Sequence, residues 1–216
     1  MLTYDFYVFD CDGVILDSNR IKTDAFRYAL REEDEQLIEE LVNYHMANGG
    51  ITRHEKFAYF YTNIKPTDDK TKSKKVEQAL ADFADFCEKE LFEADIVRGF
   101  EAFIKKLDKP CFVVTGGKED EVKDIFRHKD IAKHFELILG NPVSKRDNMQ
   151  RLKDSLKLEG KGIFFGDAWL DYKLSDEFGL DFVFIKNYSE WKDGLRFCKE
   201  NNLTITDDFS TLLNDH

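Results

Sequence analysis

The sequence lacks several features that identify whole classes of protein. Its four cysteines form no CxxC pair, which excludes a zinc knuckle and a thioredoxin-type redox motif. None of them is followed six positions later by arginine. The sequence therefore lacks the CX5R motif of cysteine-dependent phosphatases. There is no signal-like N-terminus, and no apolar run is long enough to span a membrane. We therefore expect a cytoplasmic protein with reduced thiols and no membrane partner.

Positive charge is also scarce. The formal net charge is −11, and the sequence contains no long basic block. A nucleic-acid partner is therefore not expected, because binding phosphates along a strand requires a concentrated positive surface. A small phosphorylated metabolite stays open as a partner, since it requires only a few local cations. Nothing in the sequence indicates the oligomeric state.

Short apolar runs alternate with helical patterns through most of the chain. The runs predicted to be buried strands are residues 6–9, 111–114, 162–165 and 182–185, with 136–139 as a further candidate. The helical patterns between them cover residues 120–129, 147–158 and 169–178. This alternation predicts an α/β fold with a Rossmann-like, doubly wound parallel sheet.

The region from 19 to 95 has a different pattern. It contains helical periodicity without a convincing strand, and the predicted helices are residues 21–30, 34–45, 53–61 and 74–92. We expect an all-helical cap domain at 19–95, inserted after the first strand. The α/β core domain would then consist of 1–18 and 96–216.

Polar residues follow the predicted strands at the points where the strands end. They are Asp10 and Asp12, then Thr115 and Gly116, then Asp167 and Asp171, with Lys145 near a helix start. Ligands bind beyond the carboxyl ends of the strands in doubly wound sheets, so these groups should meet in one place. Clustered buried carboxylates require a cation, and oxygen-only ligation favours Mg²⁺. Asp10 and Asp167 are the natural ligands, and Asp171 is either a third ligand or a supporting group.

The same residues suit phosphoryl transfer. The Asp10 carboxylate can attack phosphorus, and Asp12 can move the proton of the leaving alcohol. Gly13 lets the chain turn and bring backbone amides near the phosphoryl oxygens. Thr115 and the Gly116 amide would hold one phosphoryl oxygen. Lys145 would neutralise the charge that the phosphoryl group and the nucleophile share.

The motifs and their order resemble those of the haloacid dehalogenase superfamily. The four matching segments are FDCDGVILDS (9–18), VVTGG (113–117), Lys145 and GDAWLD (166–171). The resemblance implies that Asp10 is the nucleophile and Asp12 the general acid and base. It also implies that Mg²⁺ is held by the Asp10 side chain, the Asp12 main-chain carbonyl and Asp167. An aspartate at position 12 favours phosphoryl transfer over dehalogenation, and an insertion after the first strand is typical of relatives with a helical cap.

Several assignments stay open in the sequence. Many relatives carry Lys-Pro at the third motif, whereas this chain has Lys145 followed by arginine, and Lys118 competes for the role. In the cap, Arg53 follows a Gly-Gly loop and is predicted to reach the substrate. Arg20 and Lys22, near the cap hinge, are further candidates. The five histidines show no ligand spacing and are expected at the surface.

We expect a Mg²⁺-dependent phosphatase that acts on a small phosphate monoester, such as a sugar phosphate or phosphoglycolate, through an aspartyl-phosphate intermediate. The first alternative is a phosphomutase similar to β-phosphoglucomutase. Such mutases carry a histidine near the position of Lys22, so the lysine favours hydrolysis. A phospho-aspartate signalling or binding protein is disfavoured, because receivers are shorter, lack a cap and carry their aspartate on a later strand.

Overall fold

The computed structural model describes residues 4–156 and 160–214, and within these ranges a single sheet of six parallel strands organises the chain. The strands are β1 (Phe6–Phe9), β2 (Cys111–Lys118), β3 (Leu137–Asn141), β4 (Gly162–Gly166), β5 (Asp181–Ile185) and β6 (Thr204–Thr206). Their spatial order is β3-β2-β1-β4-β5-β6. The predicted doubly wound sheet is therefore confirmed.

The strands differ from the prediction at three points. β2 continues four residues past Val114, through an irregular register against β3, so the predicted polar turn at Thr115 still belongs to the strand. β3 begins and ends later than expected. β6 was not predicted at all, because three residues at a sheet edge carry too little apolar pattern to stand out.

Both faces of the sheet are covered by apolar residues. Along β1, Tyr7 and Phe9 enter one buried cluster, whereas Phe6 and Val8 enter the cluster on the other face. This alternation follows from the two-residue period of a strand. Phe9 stacks on Phe165 of β4 with ring centroids 5.0 Å apart, so aromatic packing supports the two strands at the centre of the sheet.

The first four helices after β1 form the predicted all-helical insertion. They are α1 (Asn19–Ala29), α2 (Glu35–Ala47), α3 (Arg53–Tyr59), which continues as a π-helical turn at Phe60–Ile64, and α4 (Asp69–Glu93). Helix α4 begins five residues earlier than predicted, because the Asp68 carboxylate accepts a hydrogen bond from the Thr71 amide and caps its first turn. The two chain segments that connect insertion and sheet run side by side, joined by hydrogen bonds from Asp17 N to Asp95 O and from Val97 N to Ile15 O. The domain boundaries at 18/19 and 95/96 stay a prediction.

The remaining helices flank the sheet. They are α5 (Phe100–Ile104), α6 (Glu119–His128), α7 (Lys145–Leu156), α8 (Trp169–Phe178), α9 (Gly194–Glu200) and α10 (Phe209–Asn214), with a 3-10 turn at Ala132–His134. The end of the predicted helix 147–158 lies outside the described residues. In the described part of the chain, no helix combines the length and the apolar character that a membrane span requires. All four cysteines are buried and unpaired.

Candidate active site

Three carboxylates converge at the carboxyl ends of the two central strands. β1 and β4 are neighbours in the sheet, and the next strand lies on one side for β1 (β2) and on the other for β4 (β5). Ligands bind at such a point of reversal in doubly wound sheets. Asp10 follows β1, Asp167 follows β4, and Asp171 lies in the first turn of α8. One oxygen from each lies within 4.8 Å of the others, and all three residues are buried. The structure thus brings together Asp10 and Asp167, the two natural ligands in the sequence, and Asp171, for which the sequence left a ligand or a supporting role open.

Lys145 places its ammonium inside this cluster. It is the first residue of α7, and its side chain is only 1% exposed. Its Nζ lies 2.8 Å from Asp10 Oδ1 and 2.5 Å from Asp171 Oδ1. Burial lowers the pKa of Lys145, but the two carboxylates outweigh it and hold the pKa above its ordinary value. Lys118, the competing candidate, has a side chain that is 53% exposed, and among the described residues its one ion pair is with Glu121, at 3.9 Å.

The cluster still carries an excess of negative charge. Burial raises the pKa of Asp10 to about 7, although Lys145 opposes the shift. Burial and the neighbouring charges of Asp171 and Asp10 raise the pKa of Asp167 well above its ordinary value. The buried Asp10 Oδ1 accepts no well-directed hydrogen bond from the described residues, despite its short distance to Lys145. A hard divalent cation with oxygen ligands fits this donor set.

Asp171 already has partners for both of its oxygens. Oδ1 accepts a hydrogen bond from Lys145, and Oδ2 accepts hydrogen bonds from the main-chain N–H groups of Asp167 and Ala168 at 3.1 and 3.0 Å. This arrangement caps the start of α8 and fixes the loop that carries Asp167. The contacts favour the supporting role among the two roles that the sequence left open.

Asp12 turns toward the cap. Its carboxylate forms an ion pair with Lys22 of α1 and accepts a hydrogen bond from Ser18 Oγ at 2.6 Å. Burial tends to raise the pKa of Asp12, but Lys22 and Ser18 outweigh it and hold the pKa below its ordinary value. Lys22 was one of the further candidates near the hinge, and it does reach the site. Arg20 is exposed and does not line the cleft, so that candidate is wrong.

Gly13 and Asn19 position Asp167. Gly13 has a φ of +72°, and a Cβ there would lie 2.3 Å from Asn19 Nδ2 and 2.6 Å from Asp167 Oδ2. Asn19 Nδ2 donates hydrogen bonds to Asp167 Oδ2 at 2.7 Å and to the Tyr188 carbonyl at 2.8 Å. Only glycine leaves room for this contact. Sequence reasoning missed Asn19, because nothing local indicates that it lies beside a residue far along the chain.

The carboxyl end of β2, from Thr115 to Gly117, lies directly beneath the cap. Thr115 is fully buried, and its Oγ1 accepts a hydrogen bond from the Gly117 amide at 3.0 Å, which leaves the hydroxyl hydrogen for another acceptor. A Cβ on Gly116 would lie 2.3 Å from the carbonyl oxygen of Gly50, and a Cβ on Gly49 would lie 2.7 Å from Ala168 Cβ. The Gly-Gly loop of the cap therefore rests on the carboxyl end of β2 and on the loop after β4.

We expect Gly116→Ala to impair the closed arrangement of cap and core. The new methyl group would displace the Gly50 backbone, and a shift of about 1 Å near reacting groups lowers kcat/KM by roughly 10- to 100-fold. The measurement is phosphate release from a series of phosphate esters. Gly117→Ala is the matched control, because a Cβ there would contact only side-chain atoms at 3.3 Å or more. Equal losses in the two variants would contradict the role of the close approach.

Cap and core enclose a cleft of about 70 Å³ that includes Asp10, Asp12 and Asp167. Arg53 lines the cleft, but its guanidinium donates to Glu121 of α6 at 2.7 Å and lies over the Phe83 ring. Arg53 therefore links the cap to the core in this structure, and its contact with substrate stays a prediction. A second link between cap and core is the hydrogen bond from Thr23 of α1 to Glu190, beyond β5, at 2.7 Å.

The cap wall of the cleft also contains residues that sequence reasoning missed. His45 was expected at the surface, but it is only 7% exposed, and Lys56 is only 3% exposed. Lys56 Nζ lies 2.7 Å from His45 Nδ1. The expectation for His45 was wrong because spacing along the chain reports metal-ligand patterns, whereas the packing of α2 against its neighbours decides burial.

Three solved structures share this fold over nearly the whole chain. A predicted phosphatase from Clostridium acetobutylicum is 23% identical, covers 97% of this chain and 96% of its own, and has a TM-score of 0.73. A predicted phosphoglycolate phosphatase from Haemophilus somnus is 17% identical, with 99% and 98% covered and a TM-score of 0.74. A β-phosphoglucomutase from Clostridium difficile is 18% identical, with 97% and 93% covered and a TM-score of 0.71.

No curated protein sequence matches the chain significantly. The family model described as haloacid dehalogenase-like hydrolase matches residues 4–174, which span β1, the helical insertion and the cluster of Asp10, Asp167 and Asp171. The match covers most of the chain and includes all four motifs that the sequence analysis identified. The chain therefore belongs to the haloacid dehalogenase-like hydrolases.

Proposed function

We propose that this hydrolase is a Mg²⁺-dependent phosphatase of small phosphate monoesters, of the sugar phosphate or phosphoglycolate type. The observation that carries the proposal is the buried contact of Lys145 with Asp10 and Asp171, beside Asp167, where Asp10 and Asp167 line the cleft between cap and core. The similar structures described as phosphatases support the same activity.

In the first step, an Asp10 oxygen attacks phosphorus and the bond from phosphorus to the ester oxygen breaks. Asp12 gives its proton to the leaving alcohol, so an aspartyl-phosphate and a neutral alcohol result. In the second step, water attacks phosphorus, Asp12 takes a proton from it, and the bond to Asp10 breaks. Lys145, Thr115 and the Gly116 amide hold the negative phosphoryl oxygens in both steps.

The residues that would hold Mg²⁺ are Asp10, Asp167 and the main-chain carbonyl of Asp12, with Asp171 adjacent. When bound, the ion neutralises charge on the phosphoryl group and the nearby carboxylates. Asp171 supports the site by holding both Lys145 and the Asp167 loop.

Asp12 requires a proton before it can act as an acid. In the closed structure Lys22 keeps it ionised, and Lys22 belongs to cap helix α1. Movement of the cap away from the core would separate the pair and let Asp12 take up a proton. When the cap closes over a bound ester, an oxyanion of the ester would take the place of Asp12 beside Lys22, so Asp12 keeps its proton, and closure excludes water from the first step.

The proposed function is tested by a screen of phosphate esters for release of inorganic phosphate. The set includes an aryl phosphate, several sugar phosphates and 2-phosphoglycolate. Absence of phosphate release from all of them would contradict the proposal. β-Glucose 1-phosphate belongs in the set, since its conversion to glucose 6-phosphate without free phosphate would indicate the phosphomutase alternative.

We expect removal of divalent metal to abolish phosphate release. Without a cation the buried carboxylates of Asp10 and Asp167 repel each other and the phosphoryl group. The measurement is the rate after treatment with EDTA and dialysis, and again after addition of Mg²⁺. Added Mg²⁺ should restore the rate and raise the unfolding temperature, because it binds the folded state. Full activity in the presence of the chelator would contradict the metal site.

A further inference from the structure

The cations that line the cleft differ in one respect that the proposed reaction does not explain. They are Lys22, Arg53, Lys56 and Lys118. Lys22 pairs with Asp12, and both Arg53 and Lys118 approach Glu121. Among the described residues, Lys56 has no carboxylate within 4.0 Å. It is the most deeply buried of these four cations and the only one without a carboxylate partner among the described residues.

The hydrogen bonds around Lys56 assign it as a donor. Thr23 Oγ1 donates to the Glu190 carboxylate at 2.7 Å, so it accepts from His45 Nε2 at 3.1 Å. The neutral ring then carries its hydrogen on Nε2, and His45 Nδ1 accepts from Lys56. Burial and the charge of Lys56 lower the pKa of His45 well below its ordinary value, which keeps the ring neutral. Two N–H groups of Lys56 are left without an acceptor among the described residues.

The nearest acidic neighbour in sequence does not compensate Lys56. Glu55 is engaged in the capping box of α3, where its Oε2 accepts from the Thr52 amide at 2.9 Å and from Thr52 Oγ1 at 2.7 Å. Glu190 ends the hydrogen-bond chain from Thr23. A buried ammonium with only a neutral acceptor is costly, and an oxyanion in the cleft would supply the missing partner.

We propose that Lys56 binds a second oxyanion of the substrate, on the leaving group, so that this enzyme selects phosphate esters that carry an additional negative charge. This inference rests on the proposed function and narrows its substrate class. His45 is the positioning residue, since it orients the Lys56 ammonium through the chain that ends at Glu190.

Two matched pairs of esters test the inference. 2-Phosphoglycolate is compared with 2-hydroxyethyl phosphate, which replaces the carboxylate by CH₂OH. Glucose 1,6-bisphosphate is compared with glucose 6-phosphate, which lacks the second phosphate. We expect kcat/KM to favour the more anionic ester by about 30-fold or more in at least one pair, as for a buried charged contact. The pair that shows the preference distinguishes a carboxylate from a phosphate subsite.

The variant Lys56→Met should remove that preference, whereas Lys74→Met should retain it. Lys74 is an exposed lysine of cap helix α4 and is the matched control. Since the wild-type preference is measured independently, the test holds even if Lys56→Met fails to fold. A wild-type ratio below threefold in both pairs, or a folded Lys56→Met variant that retains the wild-type ratio, would overturn the proposal.

The preference should also depend on pH. Burial and the charge of Lys22 lower the pKa of Lys56 to about 7, and a bound oxyanion raises it again. The ammonium is lost as pH rises, so the ratio within a pair should fall between pH 7 and 9 and be flat in Lys56→Met. The other groups facing Lys56 are His45, Asp12, Glu190 and Glu55. If no ester is hydrolysed, the proposed function is wrong. The dissociation constants of the same ester pairs, measured by calorimetry with wild type and Lys56→Met, then still test whether Lys56 binds the second oxyanion.

Discussion

Asp10→Asn is expected to lower phosphate release from an aryl phosphate by on the order of 10⁴-fold or more, as loss of a nucleophile does in other hydrolases. The amide has nearly the same shape as the carboxylate but cannot form the aspartyl-phosphate. The substitution also removes one of three crowded carboxylates, so the unfolding temperature should stay equal or rise. The measurements are kcat/KM and thermal unfolding of the same samples.

The control for this variant is Asp17→Asn. Asp17 belongs to the same segment of the chain but is exposed. Its carboxylate has no part in the proposed reaction, so the variant should retain the wild-type rate. Full activity of Asp10→Asn would contradict the assignment of the nucleophile. Equal losses in both variants would instead indicate a general disturbance of the segment.

Lys145→Met is expected to reduce both activity and stability strongly. The methionine fills a similar volume, but Asp10 and Asp171 lose the cation that lies within 2.8 Å of each. Removing one partner from a buried ion pair costs about 3 kcal/mol or more of unfolding free energy. We expect kcat for an aryl phosphate to fall by roughly 10³-fold, since a preorganised charge at the phosphoryl group is lost.

The stability loss in Lys145→Met should depend on pH in metal-free buffer. Burial raises the pKa of Asp10 to about 7 even with Lys145 present, and loss of the ammonium raises it further. A carboxyl whose folded pKa lies above its unfolded value stabilises below the unfolded pKa and destabilises as pH rises through the folded one. The variant should therefore unfold at a lower temperature at pH 8 than at pH 5, relative to wild type.

Lys118→Met is the matched control for Lys145→Met, because the sequence offered both lysines for one role. The Lys118 side chain is half exposed, and its one ion pair within residues 4–156 and 160–214 is 3.9 Å long, so its replacement should change the unfolding free energy little. A larger effect at Lys118 than at Lys145 would contradict the role of the buried ammonium. The two variants therefore resolve experimentally a choice that sequence spacing left open.

The parts of the site that the sequence predicted share one property. Asp10, Asp167 and Thr115 each follow an apolar run that is easily recognised as a buried strand. Since parallel strands end at the same edge, their order along the chain was sufficient to bring them together. Lys145 was less secure because a lone lysine before a helix is common, and only its contacts with two buried carboxylates distinguish it from Lys118.

The residues that the sequence did not reveal depend on contacts between distant segments. Asn19 binds a carboxylate 148 positions away, and Lys56 meets His45 across two different cap helices. No local pattern carries such information, because the helical period shows which residues share a face but not which other helix covers it. The burial of His45 was mispredicted for this reason.

The sequence by itself determined the fold class, the helical insertion after β1 and the chemical types at the sheet edge, because strand periodicity and strand-end residues are local properties. Only the tertiary structure decided how charges pair: Lys145 with Asp10, Lys22 with Asp12, and Lys56 with no carboxylate in the described residues. Pairing depends on distances of a few ångströms between helices and strands, and packing alone sets those distances. The substrate inference therefore follows from the structure, whereas the reaction class follows from the sequence.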